Sequence, residues 1–299
     1  MMVDRRPRFI YAARKVALPL FYLFLWDIFV TALYYYVTPD VQQIELPLTL
    51  FGTALALFIG FCVNAAYARW WEARGLWGLM INASRNVARQ AISFCDESVP
   101  GAIKGLAREI ARGQIAYVHV LRTSLRGQPM PDEARRYLPA DQVEGLARIA
   151  NKHNMILTDM ALMAARALKA GMLDPYARVR IEATLVDIAN AQGGMERIKN
   201  TPLPSQYRFF PLIFAHVFCI ILPFAVVQKL GIYTPFGSAF VGLMFLMAVQ
   251  IGLDLMDPFA DDIYDVPMTA MCRTIEIDLL QMLGEPAPEP VRPVDGILW

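Results

Sequence analysis

Long stretches without a charged residue constrain this chain more than any other feature of its sequence. Residues 46–68, 209–228 and 230–253 form three such stretches of 23, 20 and 24 residues. A helix of about 20 apolar residues crosses the hydrocarbon core of a membrane. A fourth stretch, 16–39, has a similar length but contains Asp27. The sequence therefore predicts four membrane-spanning helices, at 16–37, 47–68, 209–228 and 233–254.

Composition excludes several other classes of protein. Hydrophobic residues make up 56% of the chain and charged residues 18%, whereas soluble domains have about 45–50% and about 25%. The net charge of +1 argues against a nucleic-acid partner, and four cysteines without a CxxC pair exclude a cysteine zinc site. The three histidines are isolated and there is no Walker loop. We therefore predict that the protein is not an enzyme.

The distribution of positive charge predicts the orientation in the membrane. The long middle stretch, 69–208, carries 20 Lys/Arg and 13 Asp/Glu, a net charge of +7. Residues 1–15 add five basic residues, whereas the connection 38–46 has none. Cytoplasmic loops carry an excess of Lys and Arg. We therefore expect an integral protein of the inner (plasma) membrane with both termini and the middle stretch in the cytoplasm.

Turn residues divide the middle stretch into helices, with breaks expected at 98–101, 126–131, 171–175 and 201–204. No segment alternates as a strand does, so the predicted fold is all-α. The predicted segments are a cytosolic N-terminal segment (1–15), a first transmembrane hairpin (16–68), a cytosolic helical domain (69–208), a second transmembrane hairpin (209–254), a cytosolic acidic cluster and helix (255–283), and a Pro-rich tail, extended or disordered (284–299).

The second span carries two parallel stripes of side chains. Small residues recur every four positions, at Gly52, Ala56 and Gly60. Such a stripe lets neighbouring helices approach closely. The adjoining stripe contains Thr53, Leu57 and Phe61. If copies of this helix surround an axis, the second stripe forms an apolar neck of the kind that gates by dewetting; the alternative is that both stripes pack an ordinary bundle.

Asp27 is the unpaired carboxylate predicted within a span. Ionisable residues inside the membrane are candidates for function by default. His216, on the third predicted span, could pair with Asp27, face a water-filled vestibule or lie near the membrane surface.

Two motifs resemble those of the bestrophin channel family, and its prokaryotic members are the most similar. Arg69-Trp70-Trp71 follows the second span, and the run that begins Asp257-Pro258-Phe259 resembles the family's NPFGxDxxDLP block. The resemblance implies a homopentamer with one axial pore and four transmembrane helices per chain. It places the pore neck at Thr53, Leu57 and Phe61, and it implies structural roles for Arg69, Trp70, Trp71, Pro258 and Phe259.

The resemblance also implies a second, cytosolic constriction of the pore. It falls near Tyr176, just after Asp174-Pro175. The alternative is that Asp174 and Pro175 only begin the next helix, since Pro is favoured in the first turn.

A calcium clasp is a further implication of the resemblance. Asp262 and Asp265 would supply carboxylates, and Asp254 and Asp257 backbone carbonyls, which suits a hard cation such as Ca²⁺. In the alternative, Asp261, Asp262 and Asp265 cap a helix that starts near Pro267 and pair with Arg5 and Arg8. We favour the alternative and expect no required cofactor.

These observations predict a passive homopentameric channel for monovalent ions. By overall likeness to the prokaryotic members we expect a preference for cations, chiefly Na⁺ and K⁺, with a chloride channel of the same fold as the alternative. The expected partners are other copies of the chain, membrane lipid and the permeating ions. A secondary transporter or a membrane scaffold is the rival class, although the chain shows no internal repeat.

Overall fold

A computed structural model describes residues 1–2, 9–37, 47–95 and 103–299. It divides into two compact units. The first, which we call the apolar unit, comprises Asp4–Trp70 and Pro202–Asp257. The second, the polar unit, comprises Met1–Val3, Trp71–Thr201 and Pro258–Trp299.

The described residues form ten α-helices. They are α1 (Phe9–Tyr36), α2 (Leu48–Ser93), α3 (Arg108–Leu125), α4 (Asp132–Arg135), α5 (Ala140–Leu146), α6 (Lys152–Lys169), α7 (Pro175–Asn200), α8 (Ser205–Leu230), α9 (Thr234–Leu255) and α10 (Met268–Met282). A single π-helical turn, Ile103–Ala107, precedes α3. The described ranges contain no β-strand, and their β-structure is limited to two isolated bridges, Met2 with Ile297 and Val294 with Ile297. The prediction of an all-α fold is therefore confirmed.

Three helical segments are long and apolar enough to cross a membrane, namely Ala13–Tyr36, Leu48–Ser93 and Ser205–Leu255. The third segment contains both α8 and α9, which a 3-10 turn at Gly231–Tyr233 joins. Gly231 has a φ of +55°, and a Cβ there would lie 3.0 Å from Tyr35 Oη. Glycine therefore allows this close turn between two long apolar helices.

Three of the four breaks predicted in the middle stretch fall between helices, at 126–131, 171–175 and 201–204. The fourth, 98–101, lies outside the described residues. α2 does not stop where its predicted span ends: the same helix continues to Ser93, so the Arg69-Trp70-Trp71 motif lies in mid-helix.

The apolar unit is held together by side chains from all four of its helices. Its core contains Val16 and Leu23 of α1, Leu55 and Ile59 of α2, Ala215 and Cys219 of α8, and Leu246 and Val249 of α9. α1 packs mainly against α9 and then α8. Small residues allow close crossings, because a Cβ at Gly252 would lie 3.2 Å from Val63 Cγ2.

The polar unit is built around α3, most of whose residues are buried. α6, α7 and α10 pack against it. Tyr117 is fully buried on α3, and its hydroxyl donates to Gln192 Oε1 of α7 at 2.7 Å. This pairing satisfies a polar group that burial would otherwise penalise.

Backbone hydrogen bonds attach the C-terminal end of the Pro-rich tail to the rest of the polar unit. The Met1 ammonium donates to the Leu298 carbonyl at 2.5 Å, and the Ala270 N–H donates to the Trp299 carbonyl at 2.6 Å. Within the tail, residues 294–297 form a turn, with positive φ at Asp295 and Gly296.

Candidate pore-lining site

The packed face of α2 within the apolar unit contains Leu55, Ile59, Cys62 and Ala66, all buried. A helix turns by 100° per residue, so Leu57 lies about 200° around α2 from Leu55. The stripe Thr53, Leu57 and Phe61 is therefore on the face opposite the one that α2 uses to pack against its own chain.

The side chains of this stripe are exposed. Leu57 is 60% exposed and Phe61 is 61% exposed. Thr53 is also exposed, and its hydroxyl donates to the Thr49 carbonyl one turn earlier at 2.7 Å. The hydroxyl is thus satisfied by its own helix, and the stripe as a whole is an apolar, uncharged surface.

The small-residue stripe is partly in contact within the chain. A Cβ at Gly52 would lie 3.4 Å from Phe218 Cζ of α8, whereas a Cβ at Gly60 would meet nothing within 4 Å. Ala56 is exposed. Ala56 and Gly60 therefore leave room beside α2 for something that is not part of this chain.

The motif residues of the apolar unit make internal contacts. Arg69 Nε donates to the carbonyl of Met256, the C-cap residue of α9, at 2.9 Å. Carbonyls at a helix C-terminus lack helical partners, so the guanidinium satisfies the end of α9. The Trp70 ring stacks on Tyr67 with centroids 6.3 Å apart.

The remaining motif residues belong to the polar unit. Phe259 is fully buried, and the Pro258 carbonyl accepts from the Val266 N–H at 3.1 Å. Trp71 is exposed. The contacts of Pro258 and Phe259 are those of a packed turn that precedes α10.

Tyr176 lies in the first turn of α7 and is 84% exposed. The Asp174 carboxylate accepts from the Tyr176 and Ala177 N–H groups at 2.7 and 2.9 Å, and Pro175 is the first residue of the helix. Asp174 and Pro175 therefore begin α7, as expected if their role is only to start this helix. The Tyr176 ring projects from the surface of the polar unit.

Asp27 is buried inside the apolar unit. The Ser238 hydroxyl of α9 donates to Asp27 Oδ1 at 3.0 Å. His216 contacts the Leu212 carbonyl through Nδ1 at 2.7 Å, and among the described residues no ion pair joins it to Asp27. The carboxylate thus holds α1 against α9 and is not part of the α2 stripe.

The acidic residues proposed for a calcium clasp have partners of their own. In the apolar unit, Asp254 Oδ1 accepts from Lys15 Nζ at 2.8 Å and from Gln250 Nε2 at 2.6 Å. In the polar unit, the Asp262 N–H donates to Asp265 Oδ2 at 2.8 Å. Across the described ranges no group of three or more His, Cys, Asp or Glu residues could hold a metal ion.

The alternative for the acidic cluster expected these acids to cap a helix and to pair with the N-terminal bases Arg5 and Arg8, whereas the base found next to Asp261 is Arg126. Asp261 is paired with a base, because Arg126 Nη2 lies 2.6 Å from Asp261 Oδ1; burial lowers the pKa of Arg126, and the charge of Asp261 opposes that shift. α10 begins at Met268 without a side-chain cap, so these acids do not cap it. Arg5 and Arg8 lie outside the described residues.

Sequence reasoning missed several of these partners. Ser238, Arg126 and the Met256 carbonyl are far in sequence from the groups they bind. A serine within the apolar run of α9 was the one available signal, because a hydroxyl in a membrane helix needs a partner.

A buried polar cluster was also missed, and it lies between α3 and α10. Tyr137 Oη donates to Glu276 Oε1 at 2.6 Å, while His119 Nε2 and Arg273 Nε lie 3.4 and 3.2 Å from Oε2. Burial raises the pKa of Glu276, but the nearby His119, the hydrogen bond from Tyr137 and the charge of Arg273 outweigh it, so the pKa falls below its ordinary value. The cluster fixes α10 on α3.

Comparison with known proteins identifies relatives over most of the chain. A sequence profile described as "Bacterial/Fungal Bestrophin protein" matches residues 11–281. The voltage-dependent anion channel-forming protein YneE of Escherichia coli K12 is 37% identical over 239 residues, which cover 80% of this chain and 77% of that protein. A protein of the same description from Mesorhizobium japonicum is 33% identical, covering 81% and 76%.

The structure is also similar to solved ones. The crystal structure of a bacterial bestrophin homologue from Klebsiella pneumoniae superposes with a TM-score of 0.83 and 31% identity, covering 90% of this chain and 99% of that one. A single-substitution variant of the same homologue gives the same TM-score and identity.

Proposed function

The chain belongs to the bacterial and fungal bestrophin family, and on this premise we propose that it forms a channel for monovalent anions. Bestrophins are ion channels and not enzymes, and the protein is an integral membrane protein. The proposal concerns the ion and the residues that form its path.

The expectation of a cation preference is not supported by these comparisons. The relatives are named for anion channels, and their names favour the alternative of a chloride channel. The charge of the sequence agrees, because the middle stretch carries a net +7 and fields of one sign concentrate ions of the other. The neck itself is neutral and does not discriminate by charge.

The observation that carries the proposal is the exposed apolar stripe of α2. Thr53, Leu57 and Phe61 lie opposite the packed face of the helix and touch none of their own core. Four helices enclose too little space for a pore, so the path lies between chains. We assign five copies around one axis, with this stripe facing it and with Ala56 and Gly60 against the neighbouring copy.

Replacing Leu57 tests the neck. Leu57→Ala widens an apolar constriction and lowers its dewetting barrier, so steady current in planar bilayers should rise several-fold. Leu18→Ala is the matched control, because Leu18 of α1 is 63% exposed and lies off the stripe. Current that is unchanged or lost in Leu57→Ala, with Leu18→Ala normal, would contradict a hydrophobic neck and favour the rival class of transporter or scaffold.

Tyr176 is proposed as a second constriction, supported by its exposed ring at the start of α7. Tyr176→Ala should change conductance or relative anion permeability while leaving Asp174 to begin the helix. Equal single-channel properties in Tyr176→Ala and the parent would remove Tyr176 from the path.

Conduction is proposed to need no calcium, and the proposal is supported by the lack, among the described residues, of any group of three or more His, Cys, Asp or Glu that could hold a metal ion. Currents should be the same in chelator and in micromolar Ca²⁺. A calcium-dependent current that Asp262→Asn abolishes would establish the clasp instead. Both termini are assigned to the cytoplasm because of the distribution of positive charge. The accessibility of a terminal tag in sealed spheroplasts measures this orientation.

A further inference from the structure

The polar unit contains a cavity whose chemistry the channel does not use. α3, α6 and the connection between α4 and α5 enclose a volume of about 490 Å³. Binding sites for small organic molecules have volumes of about 300–1,000 Å³. The cavity is therefore large enough for a ligand of that kind.

The cavity is lined by an unusual number of guanidinium groups. Arg108 and Arg112 of α3, Arg136 after α4 and Arg166 of α6 all contribute to its wall. Two carboxylates, Glu109 and Asp159, also line it, and Asp159 Oδ2 already accepts from Gln142 Nε2 at 2.5 Å. The wall is therefore positively charged overall.

Part of this wall already binds an oxyanion from the chain itself. Glu285, just after α10, accepts from Arg108 Nε at 2.5 Å and from Arg112 Nη2 at 3.0 Å. Burial raises the pKa of Glu285, but the hydrogen bonds and charges of Arg112 and Arg108 outweigh it, so the pKa is lowered. The carboxylate is held in its charged form, and it shows which ligand chemistry the two arginines select.

The other two arginines are open. Within the part of the chain that the structure describes, neither Arg136 nor Arg166 forms an ion pair, and both are exposed. Apolar side chains form part of the remaining surface, with Ile156, Met160 and Met163 on the α6 side. The cavity thus combines unpaired cations with an apolar floor.

We propose that this cavity binds a small organic phosphate, with its phosphate oxygens on Arg136 and Arg166 and its organic part on the apolar floor. The planar guanidinium fork matches phosphate oxygens two at a time. A dianionic phosphate gains more from several arginines than a monovalent halide does, so the cavity favours a phosphate over the ion that the channel is proposed to conduct. Arg108 and Arg112 line the same cavity, so a ligand phosphate also competes with the Glu285 carboxylate for these two guanidinium groups.

The test uses the full-length protein purified in detergent, with inorganic pyrophosphate as the probe and calorimetric titration as the readout. We expect saturable binding of one pyrophosphate per chain, weakened at least tenfold by Arg136→Gln combined with Arg166→Gln. Arg148→Gln is the matched control, since Arg148 is exposed and is not among the residues that line the cavity. The proposal would be overturned if pyrophosphate did not bind saturably, or if Arg148→Gln weakened its binding as much as the double substitution does.

Competition by the tail gives a second readout. Glu285→Gln removes the tethered carboxylate, so pyrophosphate should bind several-fold more tightly. Unchanged or weaker binding would refute the competition. Because these measurements need no ion flux, their outcome is independent of whether the channel conducts anions.

Repeating the titration in nanodiscs distinguishes a soluble phosphate from a lipid headgroup as the ligand of this cavity. A soluble ligand predicts equal pyrophosphate affinity in phosphatidylcholine alone and with phosphatidic acid added. Weaker binding in the phosphatidic acid nanodiscs would instead assign the arginines to a lipid headgroup.

Discussion

The two units of this protein treat apolar and polar side chains in opposite ways. The apolar unit leaves many large hydrophobic side chains exposed on all of its helices, among them Phe21, Leu57, Phe214 and Phe240. The polar unit instead buries large side chains such as Trp77, Tyr117 and Phe259, and it encloses polar side chains that have hydrogen-bond partners, as Glu276 has in Tyr137. The exposure of a hydrophobic side chain must therefore be interpreted differently in each unit.

In the apolar unit an exposed side chain faces lipid, another copy or the ion path, because water does not surround a membrane helix. In the polar unit stability depends in part on hydrogen bonds that buried side chains make, such as those of Tyr117 and Glu276. Substitutions on exposed apolar positions should consequently change assembly or conduction, whereas substitutions in the buried polar clusters should change stability.

The largest effect is expected from Glu276→Ala. It removes the partner of Tyr137 and Arg273 in a buried site, and breaking a buried pair costs about 3–5 kcal/mol. We expect a cost at the lower end of that range, since Arg273 is 25% exposed at its side chain. Hydrogen exchange of α3 and α10 amides should quicken roughly a hundredfold.

Glu289→Ala is the control for that loss. Glu289 pairs with Arg292, and both side chains are almost fully exposed, so the expected cost is at most about 1 kcal/mol. Equal effects of the two substitutions would show that the buried cluster does not hold α10 in place.

A pair of glycines tests the meaning of exposure in the apolar unit. Gly252→Leu should destabilise the chain by about 1–3 kcal/mol, because overpacking a crossing forces helices apart and Val63 lies against this glycine. A Cβ added at Gly60 would meet nothing within 4 Å, so Gly60→Leu should leave the fold intact but reduce the detergent-corrected mass of the oligomer. An unchanged oligomer in Gly60→Leu would remove the small-residue stripe from the subunit interface.

The smallest effect concerns acid pH. The pKa of Glu276 is lowered in the folded protein. The pKa of Glu133 is lowered as well, because burial raises it by less than backbone hydrogen bonding and Arg122 together lower it. A lowered folded pKa contributes stability that is present above the ordinary value of 4.5 and is lost as pH falls through the folded value. The melting temperature of the protein should therefore drop as the pH falls below 4.5, and it should drop less in Glu276→Gln. A melting temperature that rises as the pH falls would contradict this prediction.

The sequence was sufficient for features that repeat along one helix. Uncharged runs located the long apolar helices, and a four-residue period separated Leu57 and its stripe from the small-residue stripe. The continuation of α2 to Ser93 was not predicted, because the change from an apolar to a charged composition at Arg69 ends a span without ending a helix.

Contacts between distant segments could not be predicted. Nothing in the local sequence of Arg69 indicates that its partner is the Met256 carbonyl, and Asp261 gives no sign that Arg126 binds it. Ion preference is likewise outside the reach of periodicity. Thr53, Leu57 and Phe61 carry no charge, so the expected cation preference rested on likeness alone.

The most direct test of the central claim is the reversal potential of the purified protein in a planar bilayer under a KCl gradient. An anion channel predicts reversal close to the chloride equilibrium potential, with a current that Leu57→Ala increases. Reversal close to the potassium equilibrium potential would contradict anion conduction while leaving the family and the fold unchanged.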